Sequence, residues 1–141
     1  MLTYKPKVKP EKSELKKLED KLWKVFSEYI RLRDSDENGY IVCFTCSAVQ
    51  HFTNMDAGHA IGGRGNAILF SEEGCKPQCR NCNQFLGGNY KVFRQNLGEE
   101  TYQKLLAESK QAQEFTPSLL KNNIDYYTAE VKRLREEKGM I

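Results

Sequence analysis

No stretch of the 141-residue sequence approaches the roughly 20 consecutive apolar residues that a membrane span requires, and no apolar run follows the lysine-rich residues 1–17. A membrane-spanning protein and a secretory leader are therefore not expected; the reading is a soluble chain in the cytoplasm. An excess of charge is missing too. The 22 Lys and Arg against 19 Asp and Glu leave a net charge of +3, which permits a polyanionic partner but excludes a histone-like polycation. Internal repeats are absent, as are low-complexity tracts beyond the basic start. The cysteines number five, so they do not pair off, and in a reducing compartment metal ligation or free thiols are expected over disulfides. Seven Phe and seven Tyr supply core material, which excludes full disorder. The length excludes two enzyme-sized domains, and a domain this small gains from a staple such as a bound metal.

Residues 1–12 read as a flexible basic tail and 13–141 as a single domain. Leu15, Leu18, Leu22, Val25, Phe26, Tyr29 and Ile30 recur at helical spacing and predict one helix from Ser13 to Arg33, broken by Asp34 to Gly39. Tyr40 to Phe44 is β-prone, and the glycine-rich stretch to about Lys76 suggests hairpins. A helix is expected to open at Cys79 to Cys82 with Leu86, Tyr90, Phe93 and Leu97 on one face, unless Gly87 and Gly88 delay it. Glu99 to Gln113 predicts another. Thr116 and Pro117 form a capped start for a last helix, with Leu120, Ile124, Tyr127, Val131 and Leu134 as its apolar stripe. The fold class is α+β and mostly helical.

Cys43-x-x-Cys46 and Cys79-x-x-Cys82 are the strongest chemical signal. Each pair forms a knuckle, and two knuckles supply the four soft ligands of a closed tetrahedral Zn²⁺ site, structural because no position is left for water. The alternative is buried or redox-active thiols. Cys75 is left over and reads as a small buried hydrophobe. Between the knuckles lie Asp56 and His59, and directly after the last cysteine lies Asn83. Phosphodiester hydrolysis needs a base, a cation and oxygen ligands for that cation. An imidazole suits the first role, while a carboxylate and an amide oxygen suit a hard ion such as Mg²⁺. Taken singly, each residue is as well explained as an ordinary loop or helix-start side chain.

The order of these residues resembles the HNH, or ββα-metal, endonucleases, and within them the phage NinG (Rap) recombination nucleases. The matching residues run through Tyr29-Ile-Arg-Leu-Arg-Asp34, the two cysteine pairs, Asp56-Ala-Gly-His59, Gln78, Asn83 and Phe85-Leu-x-Gly-Asn89. The resemblance implies a zinc-stapled, treble-clef-like ββα core over residues 40–97, flanked by long N- and C-terminal helices. It implies His59 as general base, Asp56 and Asn83 as ligands of Mg²⁺ (or Mn²⁺ in its place), and Cys43, Cys46, Cys79 and Cys82 as zinc ligands. The products implied are a 3′-hydroxyl and a 5′-phosphate, and the gene would belong to a phage or prophage in a bacterial host. Two departures stand out. Gly58 separates the acid from the histidine, and Gly74 replaces the middle asparagine of the family pattern, leaving Asn66 as a substitute brace. His51 has no counterpart and reads as a surface histidine.

Gly62-Gly-Arg-Gly65 reads either as a hairpin tip that puts Arg64 on a phosphate or as an ordinary turn. Lys76, Arg80, Lys91 and Arg94 form a basic rim, or simply a solvated surface; the tail lysines Lys5, Lys7, Lys9 and Lys12 would add salt-dependent affinity for DNA. No recognition helix is evident, so structure-selective binding of branched DNA such as a four-way junction is favoured over base-specific reading. Symmetric cutting of a junction needs two sites, hence a homodimer through the apolar helix stripes, unless one monomer spends both. The competing functions are a non-catalytic zinc module and an HNH nicking enzyme without junction preference.

Overall fold

The computed structural model describes residues 3–4, 13–63 and 65–140. Arg64 and all but two residues of the expected basic tail therefore lie outside the described residues. Helix α1 covers Glu14–Arg33 and starts where the Ser13 hydroxyl accepts the Lys16 N–H at 3.1 Å. It ends where the Asp36 carboxylate gathers the backbone N–H groups of Asn38 and Tyr40, each at 2.9 Å, into a turn. Helix α4 covers Pro117–Glu137, with the Thr116 hydroxyl accepting the Leu119 N–H at 3.1 Å. Leu22, Phe26 and Ile30 of α1 and Leu120, Ile124, Tyr127, Val131 and Leu134 of α4 are buried in one cluster. The contacts Glu14 to Lys121, Phe26 to Tyr127 and Glu28 to Arg135 advance together, so the two helices run parallel. The stripes expected to meet a second subunit are spent on each other.

Between these helices the chain makes two antiparallel hairpins. Strand β1 (Tyr40–Val42) pairs with β2 (Val49–His51), and β3 (Met55–His59) pairs with β4 (Cys75–Cys79) in the register Met55 to Cys79 through His59 to Cys75. The Phe44 N–H to Pro77 carbonyl bond, 2.9 Å, joins the hairpins. Gly58 is required in β3 because the fully buried Gln78 lies across it: a Cβ there would sit 1.8 Å from Gln78 Oε1.

Of the two readings of the second knuckle, the later helix start beyond Gly87 and Gly88 is the one found. Asn81–Phe85 forms a single π-helical turn, closed by the Leu86 N–H to Asn81 carbonyl bond at 2.8 Å. Gly87 and Gly88 at φ +61° and +99°, with Asn89 at +48°, then break the path, and helix α2 begins only at Tyr90 and ends at Leu97. Phe93 is buried as expected, but Leu86 and Tyr90 are exposed. Helix α3 (Glu99–Ser109) stops short of Gln113 because residues 111–114 are exposed and have no face to bury. A second small core of Ala60, Ile68, Phe93 and Leu105 holds α2 and α3 to the connection between β3 and β4.

Candidate functional site

The four cysteines converge. The sulfurs of Cys43, Cys46, Cys79 and Cys82 all lie within 4.8 Å of one another, and Cys46 and Cys79 are 3.6 Å apart. Four sulfurs at about 2.3 Å from one zinc ion are separated by about 3.8 Å, so the cluster fits that ion. Backbone and side-chain donors already point at these sulfurs: the Cys79 N–H at Cys43 (3.3 Å), the Cys82 N–H at Cys79 (3.4 Å) and the Asn89 amide at Cys82 (3.8 Å). Burial raises the Cys43 thiol, but hydrogen bonds from Thr45 and from the Cys79 amide outweigh it and bring the pKa down to about 6. The Ala48 amide lowers Cys46, yet burial and the three neighbouring thiols push it up to about 12. Thiols this close resist ionising together without a cation between them. Cys75 stays out of the cluster, fully buried in the main core.

Beside the thiols, strand alternation sends Asp56 and His59 to opposite faces of β3, and they line two adjoining clefts. A cleft of about 390 Å³ holds His59 with Asn83, Trp23 and Asp20; one of about 430 Å³ holds Asp56 with Asn83, Arg31 and Arg80. Asn83, Trp23 and Ala57 belong to both. The Asn83 amide nitrogen donates to Asp56 Oδ2 at 3.0 Å, and that of Gln84 donates to the same oxygen at 2.8 Å. Arg80 Nε lies 3.8 Å from the other carboxylate oxygen. A carboxylate and a side-chain amide oxygen are donor types that a small hard cation takes, but here the amide meets the carboxylate through its nitrogen.

His59 is oriented from two sides. Its Nε2 lies 3.0 Å from the Leu69 carbonyl, which can only accept, so that nitrogen carries a proton. Its plane stacks on Trp23 with centroids 5.0 Å apart and 19° between planes. The brace expected from Asn66 is supplied otherwise: Asn66 reaches the Gln113 carbonyl, while the Ala60 N–H to Gly74 carbonyl bond (2.8 Å) and the Gly74 N–H to Ser71 hydroxyl bond (3.1 Å) tie the connection.

Sequence reasoning passed over Trp23, Arg31 and Gln84. Trp23, Ser27 and Arg31 recur every fourth residue along α1 and face the clefts, a periodicity that marks a second face of that helix. Arg31 donates to the Ser27 and Phe52 carbonyls at 3.1 and 2.9 Å, and burial pulls its pKa down. Of the basic rim, Arg80 flanks Asp56, Lys76 stands over the Phe44 ring, and Lys91 lines a separate cleft of about 1190 Å³ with Arg94. Arg94 is paired with Glu99 and stacked on Tyr102. His51 accepts the Thr53 N–H at the strand end. Among the described residues, no helix is long and apolar enough to cross a membrane.

Compared with known proteins, the chain matches over residues 3–137 the family model described as Bacteriophage Lambda NinG protein. No curated protein and no solved structure matches it.

Proposed function

The chain belongs to the NinG family of bacteriophage lambda, and from that premise we propose that it is a metal-dependent DNA endonuclease of phage recombination, acting on branched DNA such as four-way junctions. The observation that carries this reading is Asn83: it bonds Asp56 and lines the cleft of His59, so it stands between the two neighbouring clefts of the base and of the carboxylate. Zinc on Cys43, Cys46, Cys79 and Cys82 is the staple that sets Asn83 there, since Asn83 follows the last thiol directly.

His59 takes a proton from water, and the Leu69 carbonyl stabilises the imidazolium formed through the Nε2 proton. Asp56 and Asn83 would hold Mg²⁺, or Mn²⁺, whose positive charge favours the pentavalent phosphate and the departing oxygen. Arg31 and Arg80 add fixed cations on the same wall. The β3–β4 hairpin followed by the π turn and α2 is the counterpart in this chain of a ββα-metal core. Symmetric resolution of a junction requires a second copy, hence a homodimer assembled by a surface other than the α1–α4 stripes.

The test is cleavage of a synthetic four-way junction and of matched linear duplex, with Mg²⁺ or with a chelator, against a His59→Ala control. Mg²⁺-dependent cutting of the junction, lost in the variant, is the expected result. No cutting in any divalent metal would point instead to a zinc-stapled binding module. Equal cutting of junction and duplex would point to an HNH nicking enzyme.

A further inference from the structure

Phe85 is 82% exposed and Leu86 56% exposed, immediately after Asn83 and Gln84, which bond Asp56. An apolar pair left in water beside polar site residues calls for an occupant. The pair is held firmly. The π turn ends at Phe85, the Leu86 N–H is bonded to Asn81 and the Gly88 N–H to Cys82 at 3.0 Å, so the tip is anchored to the thiol knuckle. The stretch 74–98 carries only basic charges of its own, with Asp56 and Glu99 reaching Arg80 and Arg94 from outside it. No Asp or Glu occurs between Glu73 and Glu99, whereas Lys76, Arg80, Lys91 and Arg94 do, and Arg80 and Lys91 are exposed. A protein partner's apolar pocket explains the phenylalanine but not the run of basic residues around it in the sequence. A polyanion explains the charge but not the ring. A nucleic acid with an exposed base explains both, because every base offers a π face and its backbone is anionic.

We propose that Phe85, backed by Leu86, is a wedge that stacks on an unpaired or unstacked base next to the phosphate entering the Asp56–Asn83–His59 site, and that this contact selects branched over continuous DNA. The proposal rests on the nuclease reading for the identity of the polymer, not for its measurement. In continuous duplex the bases are stacked on one another, and insertion costs unstacking; at a branch point that cost is largely met in advance. The rigid tip thus reads strand discontinuity without reading sequence.

The experiment measures binding on the His59→Ala background without cleavage, using full-length protein with zinc bound. The probes are a four-way junction carrying 2-aminopurine at the branch and the same sequence as linear duplex. The Phe85 parent is expected to change the branch fluorescence and to prefer the junction. Phe85→Ala should lose the fluorescence change and weaken junction binding roughly 10- to 100-fold, with a much smaller effect on duplex, and Phe85→Trp should restore both. Since the side chain is exposed, zinc content and thermal midpoint should stay at the parent values in both variants. Unchanged junction affinity in Phe85→Ala, or an equal loss on junction and duplex, overturns the wedge. Selective loss of junction binding supports it even if the wild type cuts nothing, in which case only the nuclease reading fails. A protein that binds neither probe overturns both.

Discussion

The imidazole of His59 owes its tautomer to a main-chain group, the Leu69 carbonyl, and its plane to the indole of Trp23. A substitution at residue 69 leaves the first control in place, whereas one at residue 23 removes the second. His59→Ala is expected to lower junction cleavage about 10²- to 10⁴-fold, the usual share of a general base, with zinc content unchanged. Trp23→Leu should cost less, about tenfold, in kcat more than in KM, because the bond to the Leu69 carbonyl remains but the ring is held less firmly. Single-turnover rates beside metal analysis check both. Gly58 stands one step from the histidine, and its replacement is a packing question. Gly58→Ala sets a methyl against Gln78 Oε1, an atom with no hydrogen-bond partner among the described residues inside a fully buried side chain, so the strand or the amide must move. Overpacking of this kind costs about 1–3 kcal/mol, read by chemical denaturation. Glycine at position 58, between Asp56 and His59, thus has a local cause in the Gln78 side chain packed against it.

The parallel pair α1 and α4 carries a pH dependence of its own. Burial, reinforced by a hydrogen bond to the Glu72 carboxylate, pushes the Tyr29 phenol up to about 12, and burial raises Tyr127 as well. A raised phenol stabilises the fold below its ordinary pKa of 10.0, and that contribution is lost as pH climbs towards 12. Melting temperature should therefore fall across this alkaline range, and Tyr29→Phe should flatten the fall; a pH series of thermal melts measures it. The two helices were readable from sequence because caps and periodicity act within one turn: Ser13 and Thr116 bond residues three positions on, and Leu120, Ile124, Tyr127, Val131 and Leu134 recur at helical spacing. The start of α2 was readable only as one of two alternatives, a delay at Gly87 and Gly88, because it also depends on distant groups. The chain after Cys82 is committed to the thiol cluster, and Gly87 to Asn89 must turn left-handed before a helix can resume. Trp23 and Arg31 escaped notice for a related reason. Their face of α1 is polar in pattern and becomes a cleft wall only when β3 packs on it. His59, Asp56 and Asn83 could be picked out as chemistry, but the sequence held no sign that Asn83 would stand between two clefts with Gln84 as a second donor to Asp56.

For the molecule as a whole, the thiol cluster is not an appendage, because Cys43, Cys79 and Cys82 belong to the same buried cluster as Phe26, Ile30, Leu120 and Leu134. A structural zinc ion contributes about 10–16 kcal/mol at neutral pH in small zinc domains, comparable to the whole stability of a domain, about 5–15 kcal/mol. Removing the ion should therefore loosen the α1–α4 core along with the hairpins rather than free the hairpins alone. The four thiols would also repel one another as they ionise, with Cys46 pushed up to about 12 by burial and its neighbours. Acid should have the same effect as a chelator, with the sign set by Cys43. In the metal-free cluster its pKa is depressed from 9.0 to about 6, so the stability it lends as a thiolate is present above the ordinary value and lost as pH falls through about 6, and a bound ion moves that loss to lower pH. Titration with a zinc chelator at pH 7.5, followed by far-ultraviolet dichroism and a metal-indicator dye, should give one transition in which helix content and zinc are lost together, moving to lower chelator concentration as pH approaches 6. Loss of zinc with full retention of the helical signal and of cooperative melting would mean that the helix pair stabilises the core alone and that the ion only shapes the site.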